Sequence, residues 1–202
     1  MWLGLFECFS ILLTGIVIKV LDDYLDRADQ NLTVGSRELG GVLIYRFSRG
    51  VLPYALLLFL LALTLNRSIA TALFLSAYAI GMFGSESQVL PSGLSSRTES
   101  IGALILGAAL TDMRLMAVSF AAICAVQAAD AIVDRQQDKE EGHRSWYYRY
   151  GSIETWLILI LSLLVGLYLD YKFIIVVLFI ALVIVYLFSW QVRGGDGKTS
   201  AF

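Results

Sequence analysis

Charge is scarce in this chain of 202 residues, of which Asp, Glu, Lys and Arg together make up only 16%. Soluble domains carry about 25%, so the composition lies outside the range expected of a water-facing globule. Histidine is nearly missing. His143 stands alone in a basic, aromatic stretch, with no partner for general-base or ligand duty, and a headgroup-level or phosphate-contacting place suits it better. Cysteine is limited to Cys8 and Cys124, both inside apolar runs and without metal-ligand spacing, and both are expected to be packing residues. Gly-rich nucleotide loops and nucleophile-elbow patterns are absent, and a formal net charge of -2 leaves no footprint for nucleic acid. The first basic residue, Lys19, lies at the far end of the first apolar run, so a cleaved signal peptide is not expected. Strand-like alternation is missing too, which argues against a β-barrel.

What fills the chain is apolar: 58% of residues are hydrophobic and the mean hydropathy is +0.74. This predicts an integral membrane protein. A hydrocarbon core of about 30 Å calls for roughly 20 mostly apolar residues per helix. Seven runs approach that size, at 2–21, 50–66, 67–84, 101–112, 113–130, 153–170 and 173–190. The backbone must satisfy its own hydrogen bonds in lipid, so the expected fold is all-α: a multi-pass transmembrane helical bundle forming one domain over 1–192, with a flexible cytoplasmic tail at 193–202. The turns at 66–67, 111–114 and 171–172 are minimal, whereas the segments 22–49, 85–100 and 131–152 are long. With seven spans, every Lys and Arg except Arg67, Arg114 and Lys172 falls on the side of the long segments. The positive-inside rule then places the N-terminus outside and the C-terminus in the cytoplasm.

Two acidic clusters share that cytoplasmic side: Asp22, Asp23, Asp26 and Asp29, and Asp130, Asp134 and Asp138. Offsets of four and seven in the first set, and of four and eight in the second, suit one face of a helix. Near a helix C-terminus the macrodipole disfavours an anion by about 0.3–1 kcal/mol, and like charges four apart repel as well. A bound cation reverses both penalties. Mg²⁺ suits such carboxylates, held by them together with water and phosphate oxygens, which implies a phosphate-bearing ligand. Arg37, Arg97, Lys139 and Arg144 are candidates to meet its remaining oxygens. Gln127, one turn before Asp130, is a candidate contact to the ligand or to a neighbouring helix.

The run Asp22-Asp23-Tyr24-Leu25-Asp26-Arg27-Ala28-Asp29-Gln30 and the run Asp130-Ala131-Ile132-Val133-Asp134 resemble the two aspartate motifs of the UbiA superfamily of intramembrane prenyltransferases. In that family the motifs read Asn-Asp-x-x-Asp-x-x-x-Asp and Asp-x-x-x-Asp, and each closes a transmembrane helix. Gly142-His143-Arg144-Ser145 with Tyr150-Gly151, and Arg37-Glu38-Leu39 with Gly40-Gly41, are similar to the family's flanking turns. Asp22 stands where the family has Asn, and Gln30 where it has its last Asp. Gly93 and Arg97 replace its Tyr-x-x-x-Lys.

The resemblance implies a UbiA-like bundle lacking the family's first and last helices, whose wall homo-oligomerisation would complete. It implies a Mg²⁺-dependent transferase. In that reading Asp23, Asp26, Asp130 and Asp134 are catalytic, holding metal on the diphosphate of a polyprenyl donor, with Asp22, Asp29 and Asp138 as further metal ligands and a lipid or aromatic molecule as acceptor. Two alternatives stand beside it: a silent homologue that binds isoprenoid lipid or scaffolds a partner, and an ion-coupled transporter. The CDP-alcohol phosphotransferase motif ranks lower, because Asp134-Arg135-Gln136-Gln137-Asp138 lacks its Asp-Gly and Ala-Arg pairs.

Overall fold

The computed structural model describes residues 4–30, 51–84, 94–133 and 151–195, and all of their regular structure is α-helical. The helices are α1 (Leu5–Gln30), α2 (Val51–Leu65), α3 (Arg67–Gly84), α4 (Ser96–Leu110), α5 (Met113–Val133) and α6 (Ser152–Gly195). Apart from α2, each is preceded by a polar or glycine residue, Gly4, Asn66, Ser95, Asp112 or Gly151, that fits the exposed amides of a first turn. Gly4 N–H donates to Glu7 Oε2 at 2.9 Å, closing the start of α1 from the third helical position. Asn66 Oδ1 accepts from Ile69 N–H at 3.0 Å, Ser95 Oγ from Thr98 N–H at 3.3 Å, and Asp112 Oδ2 from Arg114 N–H at 3.0 Å and Leu115 N–H at 3.3 Å. Gly151 (φ 101°) precedes α6 in a backbone conformation that side chains avoid.

Inside α6, Asp170 leaves helical geometry at φ -157° and ψ 94°, and its Oδ1 accepts from Phe173 N–H at 3.1 Å, capping a second arm. In a straight helix, residues eight apart stand about 12 Å apart along the axis. Here a Cβ on Gly166 would collide with Ile174 Cδ1, so the arms 152–169 and 171–195 double back on one another. The sequence expectation of a turn near 171–172 thus agrees to within about two residues.

The helix ends differ from the sequence reading in one place that matters. The apolar run expected to end at 21 is the first part of a helix that continues through the acidic segment to Gln30. No Pro or Gly lies between Gly15 and Gly35 to stop it. α4 likewise starts at Ser96 rather than 101 because Ser95 caps it.

Helices that follow one another in sequence pack antiparallel. Ser10 Oγ of α1 donates to the carbonyls of Ala62 (3.0 Å) and Asn66 (3.3 Å) at the end of α2. The Phe59 and Phe74 rings face each other across the α2–α3 turn at 4.4 Å. Ser96 Oγ and Ser100 Oγ of α4 donate to the carbonyls of Met82 (2.5 Å) and Ala79 (3.0 Å) in α3. Met116 of α5 presses on Gly107 of α4, and Arg114 Nη2 donates to the Leu169 carbonyl beside the α6 reversal. α1 closes against the second arm of α6, where a Cβ on Gly15 would meet Ile184 Cδ1 at 2.6 Å.

The interior is built from small residues and one band of aliphatics. Ala62, Ala70, Ala72, Ala79, Ala122, Ala125 and Ala128 are fully buried, as are Ser10, Thr14, Ser76, Ser100, Ser119 and Thr155, while Ile11, Ile69, Leu73, Val118 and Ile174 supply the larger volume. The exterior carries Phe6, Leu56, Leu60, Ile105, Trp156, Ile160, Leu164, Phe179 and Leu182. Met113–Val133 and Ser152–Phe188 are long and apolar enough to cross a membrane, the latter folding back at Asp170, whereas Val51–Leu65 and Arg67–Met82 are apolar but shorter. These lengths do not by themselves support seven separate spans.

Candidate functional site

The succession of antiparallel contacts sorts the helix termini into two groups. The turns at Asn66, Asp112 and Asp170 gather at one end of the bundle with the start of α1. The C-terminal ends of α1 and α5 therefore lie at the same, opposite end of the bundle. Those two helix ends carry the acidic segments.

With α1 helical to Gln30, Asp22, Asp26 and Asp29 fall within about 60° of one another around the axis. The premise of a shared face holds in the backbone register. Asp22 and Tyr24 are half-buried; the side chains at 23 and 25–30 lie outside the described residues, so Asp23, Asp26 and Asp29 are located by their backbone alone. On α5, Asp130 and Gln127 are half-buried and three residues apart, with Ala128 fully buried between them. Asp134, Asp138, Lys139, Arg144 and Arg37 also lie outside the described residues. Arg97 is exposed on the first turn of α4. Among the described residues no three His, Cys, Asp or Glu side chains converge as a metal cluster. The two described acids of the motifs, Asp22 and Asp130, offer the hard oxygen donors that Mg²⁺ prefers.

One pair at this same end escaped the sequence reading. Tyr78 Oη of α3 donates to Glu99 Oε2 of α4 at 2.6 Å, next to the Ser96 and Ser100 contacts that join the two helices. The partners are 21 positions apart, and only antiparallel packing of α3 on α4 brings them together. The sequence signals were a phenol inside an apolar run and an acid in a first turn, neither of which names its partner.

At the other end, Glu7 Oε1 accepts from Asn66 Nδ2 at 3.4 Å, and Lys172 Nζ lies 5.8 Å from the Tyr171 ring centre. Cys124 is buried in α5 and Cys8 half-buried in α1, both as free thiols, in keeping with their expected packing role. Ser119 Oγ has no hydrogen-bond partner among the described residues.

The arrangement offers oxygen ligands at one end of a bundle whose sides are aliphatic and whose interior is closed by small residues. Comparison with protein-family models, curated proteins and solved structures finds no match in any of the three.

Proposed function

We propose that the chain is a multi-pass membrane protein of the UbiA kind, acting as a Mg²⁺-dependent prenyltransferase on a polyprenyl diphosphate. The observation that carries this reading is the common end reached by α1 and α5, whose Asp-bearing segments supply the two motifs on which the resemblance rests. This reading counts the two arms of α6 separately and so takes seven spans. On that count the positive-inside rule favours the acidic end in the cytoplasm and the N-terminus outside.

In this reading Asp23, Asp26, Asp130 and Asp134 hold the metal, helped by Asp22, Asp29 and Asp138. Bound there, Mg²⁺ supplies Lewis-acid stabilisation of the leaving diphosphate. Arg37, Arg97, Lys139 and Arg144 meet the remaining phosphate oxygens, and Gln127 touches donor or acceptor. The aliphatic bundle holds the prenyl tail and keeps water from the allylic carbon while a lipid or aromatic acceptor attacks it. A second copy completes any open wall.

The test is turnover of labelled polyprenyl diphosphates by purified protein in lipid, with and without Mg²⁺, alongside Asp26→Ala and Asp134→Ala. Metal-dependent diphosphate release and a labelled product, both lost in the variants, are expected. Binding without release would replace the transferase by a silent isoprenoid-binding homologue. Neither binding nor release from folded protein would retire the isoprenoid reading and turn attention to ion transport.

A further inference from the structure

The lipid-facing belt of this bundle has a measurable height, and it is not the same on every side. α6 is uncharged from 155 to 169 and again from 173 to 192, which at 1.5 Å per residue gives about 22 and 30 Å. α4 packs on α3 and α5 at the edge of the bundle and exposes Ile101, Ile105, Leu106 and Leu110. Its uncharged stretch, residues 100–111 between Glu99 and Asp112, spans only about 18 Å. An ordinary hydrocarbon core is about 30 Å thick.

Long basic side chains escape such a mismatch by snorkelling. The two carboxylates that bound α4 have little such freedom. Asp112 is spent on the first amides of α5, accepting from Arg114 and Leu115, and Glu99 is held by the Tyr78 hydroxyl. Both ends of the α4 belt are thus fixed at the level of the helix itself.

We infer that the partner of this surface is a bilayer with a thin hydrocarbon core, drawn down furthest along the α4 edge. A second copy of the chain would cover one face, whereas the exposed aliphatics of α1, α2, α4 and α6 run around the whole bundle. The inference rests on the membrane reading above and extends it to the thickness of the membrane.

The experiment reconstitutes the full chain in phosphatidylcholine vesicles of acyl length from about 14 to about 22 carbons and follows thermal unfolding by circular dichroism. The wild type is expected to be most stable in the short lipids and to lose stability steadily as they lengthen. Arg97→Leu combined with Glu99→Leu, which lengthens the uncharged stretch of α4, is expected to move the optimum by about two carbons or more toward longer chains. Tyr78→Phe, which releases Glu99 but keeps its charge, should lower the unfolding temperature and move the optimum less than the double variant does. A wild-type optimum in the long lipids overturns the inference even if the double variant does not fold. Release of the wild type from vesicles by alkaline carbonate overturns the membrane reading itself.

Discussion

α5 and α6 are the two described helices both long and apolar enough to cross a membrane, yet they use their apolar residues in opposite ways. Half of the crossing window of α5 is buried (50%), against 28% for α6. α5 presents Ala121, Ala122, Ala125 and Ala128 to its neighbours, while α6 turns Trp156, Leu157, Ile160, Leu161, Leu164 and Phe179 outward. In water this would be inverted, because the hydrophobic effect draws the large side chains inside. In lipid the tails are as apolar as leucine, and helices associate through close backbone approach and hydroxyl bonds instead. The contrast teaches that size, more than polarity, decides which side of a helix faces inward here.

The strongest blow to that comparison is a charge on the outside of α6. Leu164→Arg is expected to cost about 3 kcal/mol of insertion free energy, measured as the inserted fraction in a glycosylation-tag assay; unchanged insertion would mean that the α6 exterior does not face lipid. Next in size is Gly166→Val, where the new branch meets Ile174 across the α6 reversal. A loss of about 1–3 kcal/mol in unfolding experiments is expected, as for other overpacked interfaces. Asp112→Ala, which leaves the first amides of α5 without their cap, should cost about 0.5–2 kcal/mol by the same measurement. Smaller still is Ile160→Ala, on the outside of α6, with an expected change of about 0.5 kcal/mol or less, whereas a loss of several times that would show the face to be packed against protein. Ser119→Ala removes a buried hydroxyl that has no partner among the described residues, and its expected sign is neutral or slightly stabilising because no described group loses a partner.

Much of the helical layout was legible because polar punctuation interrupts the apolar runs. Asn66, Asp112 and Asp170 each stand at a reversal, and each becomes the cap of the helix that follows. The extension of α1 was not legible from hydropathy, since acidic residues end an apolar run without ending a helix. Nor was the inward face of α5, which is apolar all round and so carries no periodic signal to orient it. At the candidate site the acids of α1 and α5 could be picked out singly, because carboxylates are rare between apolar stretches. Their common end followed from counting spans. The Tyr78–Glu99 bond could not be seen, because its register is set by Ser96 and Ser100 reaching the α3 carbonyls.

The three capped reversals also bear on how the chain assembles. α2 with α3, α4 with α5, and the two arms of α6 are each joined by one or two residues, so their pairing contacts are close neighbours in sequence. Closing such short connections costs little chain entropy, and contacts of low sequence separation form early and fast. Each pair can therefore form as a unit while synthesis continues. α1 differs in one respect: its contact at Gly15 waits for Ile184, which lies far along the chain from it.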